Sequence, residues 1–185
     1  DGAVRTLEEL IGRKDLPAAL NDYLALVRRF NPQPDRLTRY PGSPALAQML
    51  LRADDRMRLY ELHSTDFPLL QTALEGRRET AVMNSDGFAG LKAEMPPPSR
   101  RGIVLIDPSY EIKTDYAKVV AAVRDALTRF PEAVILVWYP QLQRLEPKEM
   151  TDRLKAAADA QSKRGWVHVR MSVAEPDQSG FGMLG

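Results

Sequence analysis

Apolar residues recur at three- and four-residue intervals from Leu16 through Leu20, Tyr23, Leu24 and Val27 to Phe30. That spacing predicts a helix with one buried face. Asp15-Leu16-Pro17 starts it, with the proline tolerated in the first turn, and Asn31-Pro32-Gln33-Pro34 ends it. Ahead of it, Thr6 followed by Glu9 has the form of a capping box opening a short helix through Leu10 and Ile11. Residues 1–40 therefore form a small helical unit.

From Tyr40 the pattern changes. Tyr40-Pro41-Gly42-Ser43-Pro44 is a rigid loop in which Ser43 is expected to cap a helix running from Pro44 to about Arg52. Strands are expected at Met57–Leu62, Thr80–Met83, Ile103–Ile106, Ala133–Tyr139 and Trp166–Val173. Helices are expected between them, at about Thr65–Leu74, Phe88–Met95, Asp115–Phe130 and Pro147–Lys163. Continuously apolar strands alternating with helices predict an α/β fold with a doubly wound, mostly parallel sheet over residues 41–185.

Composition narrows the class. The chain has 185 residues, a formal net charge of +1 and no cysteine. Disulfides and thiolate metal sites are excluded, and the lack of cysteine fits a cytoplasmic protein. With two separated histidines, no transition-metal site is expected. No apolar run approaches the roughly 20 residues that span a bilayer. The first residues lack a basic start followed by an apolar block, so no signal peptide is expected. Near-neutral charge means that any nucleic-acid contact uses a local basic patch.

Acids mark the candidate site. Glu61 lies at the end of the first strand of the alternation, Asp86 just after the second, and Asp107 closes the third. Their spacing is that of successive βα units. In a parallel sheet the carboxyl ends share one edge, where open α/β folds bind ligands, so the three should line one crevice. A carboxylate there accepts two ribose hydroxyls at once. Each acid also suits helix capping, Asp86 before Gly87-Phe88 most of all. Gly87 permits close approach of a ligand to the backbone. Asp107-Pro108-Ser109-Tyr110 is the sharpest local sequence: a carboxylate, a φ-locked proline and an exposed aromatic at a strand end. Such a group suits a planar, amine-bearing ring. Carboxylate and backbone carbonyl accept the amine hydrogens, and the tyrosine stacks on the ring face.

Asp107-Pro108-Ser109-Tyr110 resembles the Asp-Pro-Pro-Tyr signature of amino-directed DNA and RNA methyltransferases. The wider sequence resembles the bacterial 23S ribosomal RNA adenine-N6 methyltransferases, formerly catalogued as a domain of unknown function. The resemblance runs through Tyr40-Pro41-Gly42-Ser43-Pro44, Glu61-Leu62-His63, Asp86-Gly87-Phe88, Ser99-Arg100-Arg101-Gly102 through Asp115-Tyr116, and Leu136-Val137-Trp138-Tyr139-Pro140. It implies a Rossmann-like methyltransferase fold in which residues 1–40 are a helical insertion and residues 41–185 an incomplete catalytic core. A first strand, a glycine-rich cofactor loop and a histidine-bearing segment are expected before Asp1, and a last strand after Gly185. It further implies S-adenosyl-L-methionine as methyl donor and 23S ribosomal RNA as substrate. Ser43, Glu61, Asp86 and Gly87 become cofactor contacts, Glu61 on the ribose hydroxyls and Asp86 on the adenine amine. Asp107 becomes the catalytic acid, Pro108 offers its carbonyl to the target base, and Tyr110 stacks on it. Ser109 departs from the signature's second proline and loosens the turn without removing a group that touches the base.

Other residues carry less. His63 suits a lead-in to a helix, and His168 a structural place in the last strand. Arg36, Arg39, Arg100, Arg101 and Lys113 form either a phosphate-binding patch or a solvated surface. Met49, Met57 and Met83 read as core filler. The function expected is direct in-line methyl transfer to an adenine amine of 23S ribosomal RNA, in a cytoplasmic monomer without metal. One alternative is a non-catalytic RNA-binding or ribosome-assembly factor that keeps the fold. Another is a nucleotide-dependent hydrolase, disfavoured because no Walker-type glycine-lysine loop is present.

Overall fold

The computed structural model describes residues 2–33, 36–76, 79–142 and 145–171, with side chains from Leu7 onward. The chain divides into two compact units, Asp1–Ser85 and Asp86–Gly185.

The first unit holds α1 (Gly2–Ile11), α2 (Ala18–Phe30), α3 (Ser43–Leu50), β1 (Met57–Tyr60), α4 (Asp66–Ala73) and β2 (Thr80–Met83). Leu24 and Val27 of α2 pack with Leu7 of α1 and with Leu37, as the apolar spacing requires. Helix α1 begins at Gly2, so Thr6 lies within it and the capping-box reading fails. Asn31 terminates α2 and holds the returning chain. Its Nδ2 donates to the carbonyls of Val27 (2.8 Å) and Arg39 (3.0 Å). Its Oδ1 accepts from the amides of Thr38 and Arg39, each at 2.8 Å. A buried amide is tolerated here because both ends of its side chain are bonded.

Strands β1 and β2 pair in parallel from Met57↔Thr80 to Tyr60↔Met83. The Glu61 amide adds one further bond, to the Met83 carbonyl at 3.0 Å. The strand stops short of the predicted Leu62, which is exposed.

In the second unit, α5 (Gly87–Glu94), β3 (Ile103–Ile106), α6 (Thr114–Arg129), β4 (Val134–Val137) and α7 (Leu145–Gln161) follow in order. Strands β3 and β4 are parallel, from Ile103↔Val134 to Ile106↔Val137. Val104, Ile106, Ile135 and Val137 turn toward Val119, Val120, Val123 and Leu127 of α6 and Met150 of α7, forming the main core. Full burial of each such side chain is worth about 1.5–3 kcal/mol. The Arg129 guanidinium fastens α6 to the end of α5, donating to the carbonyls of Lys92 (2.8 Å) and Met95.

One expectation needs correction. The described strands pair in parallel as β1–β2 and β3–β4, and Ile103, Leu105, Val134 and Leu136 are exposed on the second face of β3–β4. Residues 166–171 are not a strand, and Val173 lies outside the described residues. Val167, Val169 and Met171 alternate as a strand would, but no described strand offers them a ladder. Side chains fasten this segment instead. Trp166 Nε1 donates to Asp159 (2.9 Å), the His168 ring bonds the Tyr139 hydroxyl (2.8 Å), and Gln141 donates to the Met171 carbonyl (2.8 Å).

Candidate active site

The turn after β3 is built from a strand end and a strained residue. Ile106 is the last residue in register with β4, and Asp107 leaves the ladder immediately after it. Pro108 holds its own φ, and Tyr110 takes φ +55°, a left-handed conformation uncommon for a bulky side chain. Such a backbone costs on the order of 1–3 kcal/mol and persists only where its surroundings enforce it. Here they do. The Tyr110 ring lies 4.8 Å from that of Tyr116 at 41°, and its hydroxyl donates to the Trp138 carbonyl at 2.9 Å.

The aromatic of this turn is therefore not exposed as the sequence suggested: Tyr110 is only 4% accessible. Burial, followed by the nearby Asp107 charge, pushes its hydroxyl pKa far up, so it stays a neutral donor. Asp107 itself reaches solvent, yet the protein around it desolvates the carboxylate enough to raise its pKa. A proton-accepting carboxylate of raised pKa suits general-base chemistry.

Asp86 is the N-cap of α5, its Oδ1 accepting from the Phe88 amide at 2.9 Å. Capping thus claims one of its oxygens. Gly87 is the exposed first residue of that helix; among the described glycines a positive φ occurs at Gly76 and Gly165, not at Gly87.

In the first unit, Glu61 follows β1 directly. Its Oε1 accepts from the His63 amide at 2.8 Å, and its carbonyl accepts from Asn84 Nδ2 at 3.0 Å. Asn84, just past β2, is a partner that the reading of the acids alone missed. Ser43 is exposed and is the first residue of α3, not its cap; Gly42 takes that position. Pro44 explains the shift, since a helix accepts proline within its first turn. His63 leads into α4, its carbonyl accepting from Phe67 at 3.0 Å and its Nδ1 lying 3.5 Å from Asp66.

Several basic residues are already engaged. Arg100 sits over the Phe130 ring and faces Glu132 at 3.8 Å, while Lys113 pairs with Glu146 at 2.7 Å. Concavities of about 310 and 430 Å³ open at the amino end of β1–β2, lined by Arg52, Ala53 and Glu79 among others, whereas Glu61 follows the opposite end of β1. Among the described residues no cluster of three or more His, Asp or Glu is arranged to hold a metal ion, and no helix is long and apolar enough to cross a membrane.

The protein-family model described as "Ribosomal RNA large subunit methyltransferase D, RlmJ" matches residues 3–183. The chain is 43% identical over 160 residues to the ribosomal RNA large subunit methyltransferase J of Escherichia coli K12, covering 83% of this chain and 57% of that protein. It is 36% identical over 180 residues to the protein of the same name from Haemophilus influenzae, covering 95% and 62%. The chain thus spans about three-fifths of the length of these curated relatives. The crystal structure of protein LPL1258 from Legionella pneumophila superposes with a TM-score of 0.73 at 32% identity, over 78% of this chain and 54% of that one. Matched almost end to end by the family model and well above 30% identical to both relatives, this chain belongs to the RlmJ family of ribosomal RNA large subunit methyltransferases.

Proposed function

We propose that this chain is catalytic core of an S-adenosyl-L-methionine-dependent enzyme that methylates the exocyclic amine of an adenine in 23S ribosomal RNA. Family membership supports RNA methylation. The observation that carries the choice of an amine is the Asp107-Pro108-Ser109-Tyr110 turn at a parallel strand end, with its solvent-reaching, desolvated carboxylate. An adenine amine is a weak nucleophile because its lone pair is delocalised into the ring. Acceptance of its hydrogens by the Asp107 carboxylate and the Pro108 carbonyl favours the pyramidal nitrogen that attacks. The proton then passes to Asp107 or to water. Because it is buried and bonded to Trp138, Tyr110 serves here as the anchor of this turn.

S-adenosyl-L-methionine would supply the electrophilic methyl group. In this reading Glu61 takes the ribose hydroxyls with its carboxylate just after β1, and Ser43, Asp86 and Gly87 are further contacts. A Rossmann-like sheet completed by segments outside this chain, a cytoplasmic location, a monomeric state and independence of metal belong to the same reading.

The test is transfer of label from S-adenosyl-L-methionine to unmodified 23S ribosomal RNA by the full-length protein, wild type against Asp107→Ala. Loss in the mutant is expected; transfer that persists removes Asp107 from its role. The burial of Tyr110 gives some support to a second reading, a non-catalytic RNA-binding or assembly factor. Cofactor binding without transfer in either protein would favour it.

A further inference from the structure

Tyr110 is largely buried, and a second, more exposed aromatic stands on the neighbouring strand. Asp107 and Trp138 directly follow the register pair Ile106↔Val137. The Trp138 amide donates to the Ile106 carbonyl at 3.0 Å, so the two strands are still held together where these residues leave them. Adjacent strands in a ladder lie about 4.8 Å apart. Facing alternates along both strands. Val104, Ile106, Ile135 and Val137 pack on the core, whereas Ile103, Leu105, Val134 and Leu136 are exposed. Continued by one step, the alternation turns Asp107 and Trp138 out on that same open face, and both are exposed there. The indole is 50% accessible.

Trp138 is also fixed. Its amide is bonded to Ile106 and its carbonyl to the Tyr110 hydroxyl at 2.9 Å, which clamps its backbone from both sides. The result is an aromatic plate on a rigid strand end, one strand away from the carboxylate. Indole stacks on any nucleobase, because every base has a π-face. Beside it, the carboxylate accepts from an amine but repels a carbonyl edge, so the pair selects an amine-bearing base. A base paired within a duplex presents no free face to such a plate.

We propose that Trp138 stacks on the unpaired, amine-bearing base that Asp107 engages, and so is a substrate-binding residue of the reaction. The role rests on the methyltransferase reading given above. It gives the base a stacking surface on β4, tied to the turn by the Tyr110–Trp138 hydrogen bond.

The experiment uses the full-length protein and a single-stranded oligoribonucleotide with 2-aminopurine at an unpaired position, whose fluorescence falls on stacking. A second arm measures methyl transfer to an adenine-containing copy. Trp138→Leu should abolish the quenching and raise the RNA KM about tenfold, while KM for S-adenosyl-L-methionine stays unchanged. Trp138→Tyr should keep most of both signals. If Trp138→Leu fails to fold, Trp138→Met takes its place as the non-aromatic variant. Wild-type quenching and RNA KM in a folded non-aromatic variant would overturn the assignment. Quenching that depends on Trp138 in a protein that transfers no methyl group would preserve the stacking role and refute the methyltransferase reading instead.

Discussion

The Tyr110 hydroxyl donates to the Trp138 carbonyl at 2.9 Å, joining the turn after β3 to the end of β4. This bond opposes the tendency of a left-handed tyrosine to relax. Without it, the φ of +55° would be enforced by side-chain packing alone, that against the Tyr116 ring included. Tyr110→Phe keeps the packing and removes the donor, leaving a half-buried carbonyl without its partner. A loss of about 1 kcal/mol in unfolding free energy is expected from urea titration. An unchanged midpoint would mean that packing alone holds the turn.

Asn31 concentrates five hydrogen bonds in one buried side chain, one of them from the Thr38 hydroxyl. Asn31→Ala strips the Thr38 and Arg39 amides of their acceptor, and a loss of about 2–3 kcal/mol is expected. Hydrogen exchange at those two amides should accelerate, while exchange in α6 stays as in wild type. Acceleration spread evenly along the chain would show instead that Asn31 acts on global stability alone.

Asp86 has one assigned task and one proposed task, and two variants separate them. Asp86→Ala deletes the cap of α5 and should cost about 1 kcal/mol. Asp86→Asn keeps an oxygen for the Phe88 amide and should restore stability nearly in full. If the second oxygen of Asp86 also serves S-adenosyl-L-methionine, the Asn variant will still bind it more weakly by calorimetry. Wild-type affinity in Asp86→Asn would confine the residue to capping.

How much of this was legible in the sequence follows from what each signal measures. Thr80–Met83 and Ile103–Ile106 were bounded correctly, because turn residues abut short apolar runs. The strand expected over Ala133–Tyr139 is shorter, Val134–Val137, since apolarity persists beyond the last ladder bond. Residues 166–171 have the alternation of a strand without a described neighbour to pair with, and pattern alone cannot supply one. That Glu61, Asp86 and Asp107 each follow a strand was legible, because position relative to a strand is a sequence property. The burial of Tyr110 was not, since it depends on Tyr116 and on a carbonyl 28 residues away. Trp138 was legible as part of a matched strand; its place beside Asp107 needed the β3–β4 register.

Asp107 carries the last prediction, and it concerns pH. Burial raises its pKa in the folded protein above the unfolded value of about 3.9. Between those two values the folded state binds more protons than the unfolded state, so stability falls as pH rises through that interval and then levels off. Below the unfolded pKa the carboxyl is neutral in both states and the penalty vanishes. Asp107→Asn is neutral throughout and nearly isosteric. It should therefore be at least as stable as wild type at pH 7, with the advantage shrinking as urea titrations approach pH 4. Methyl transfer should move the other way, falling about a hundredfold or more, because the amide cannot take up the proton. A wild type more stable than Asp107→Asn at pH 7 would mean that the folded protein stabilises this charge, and the desolvated carboxylate would have to be abandoned.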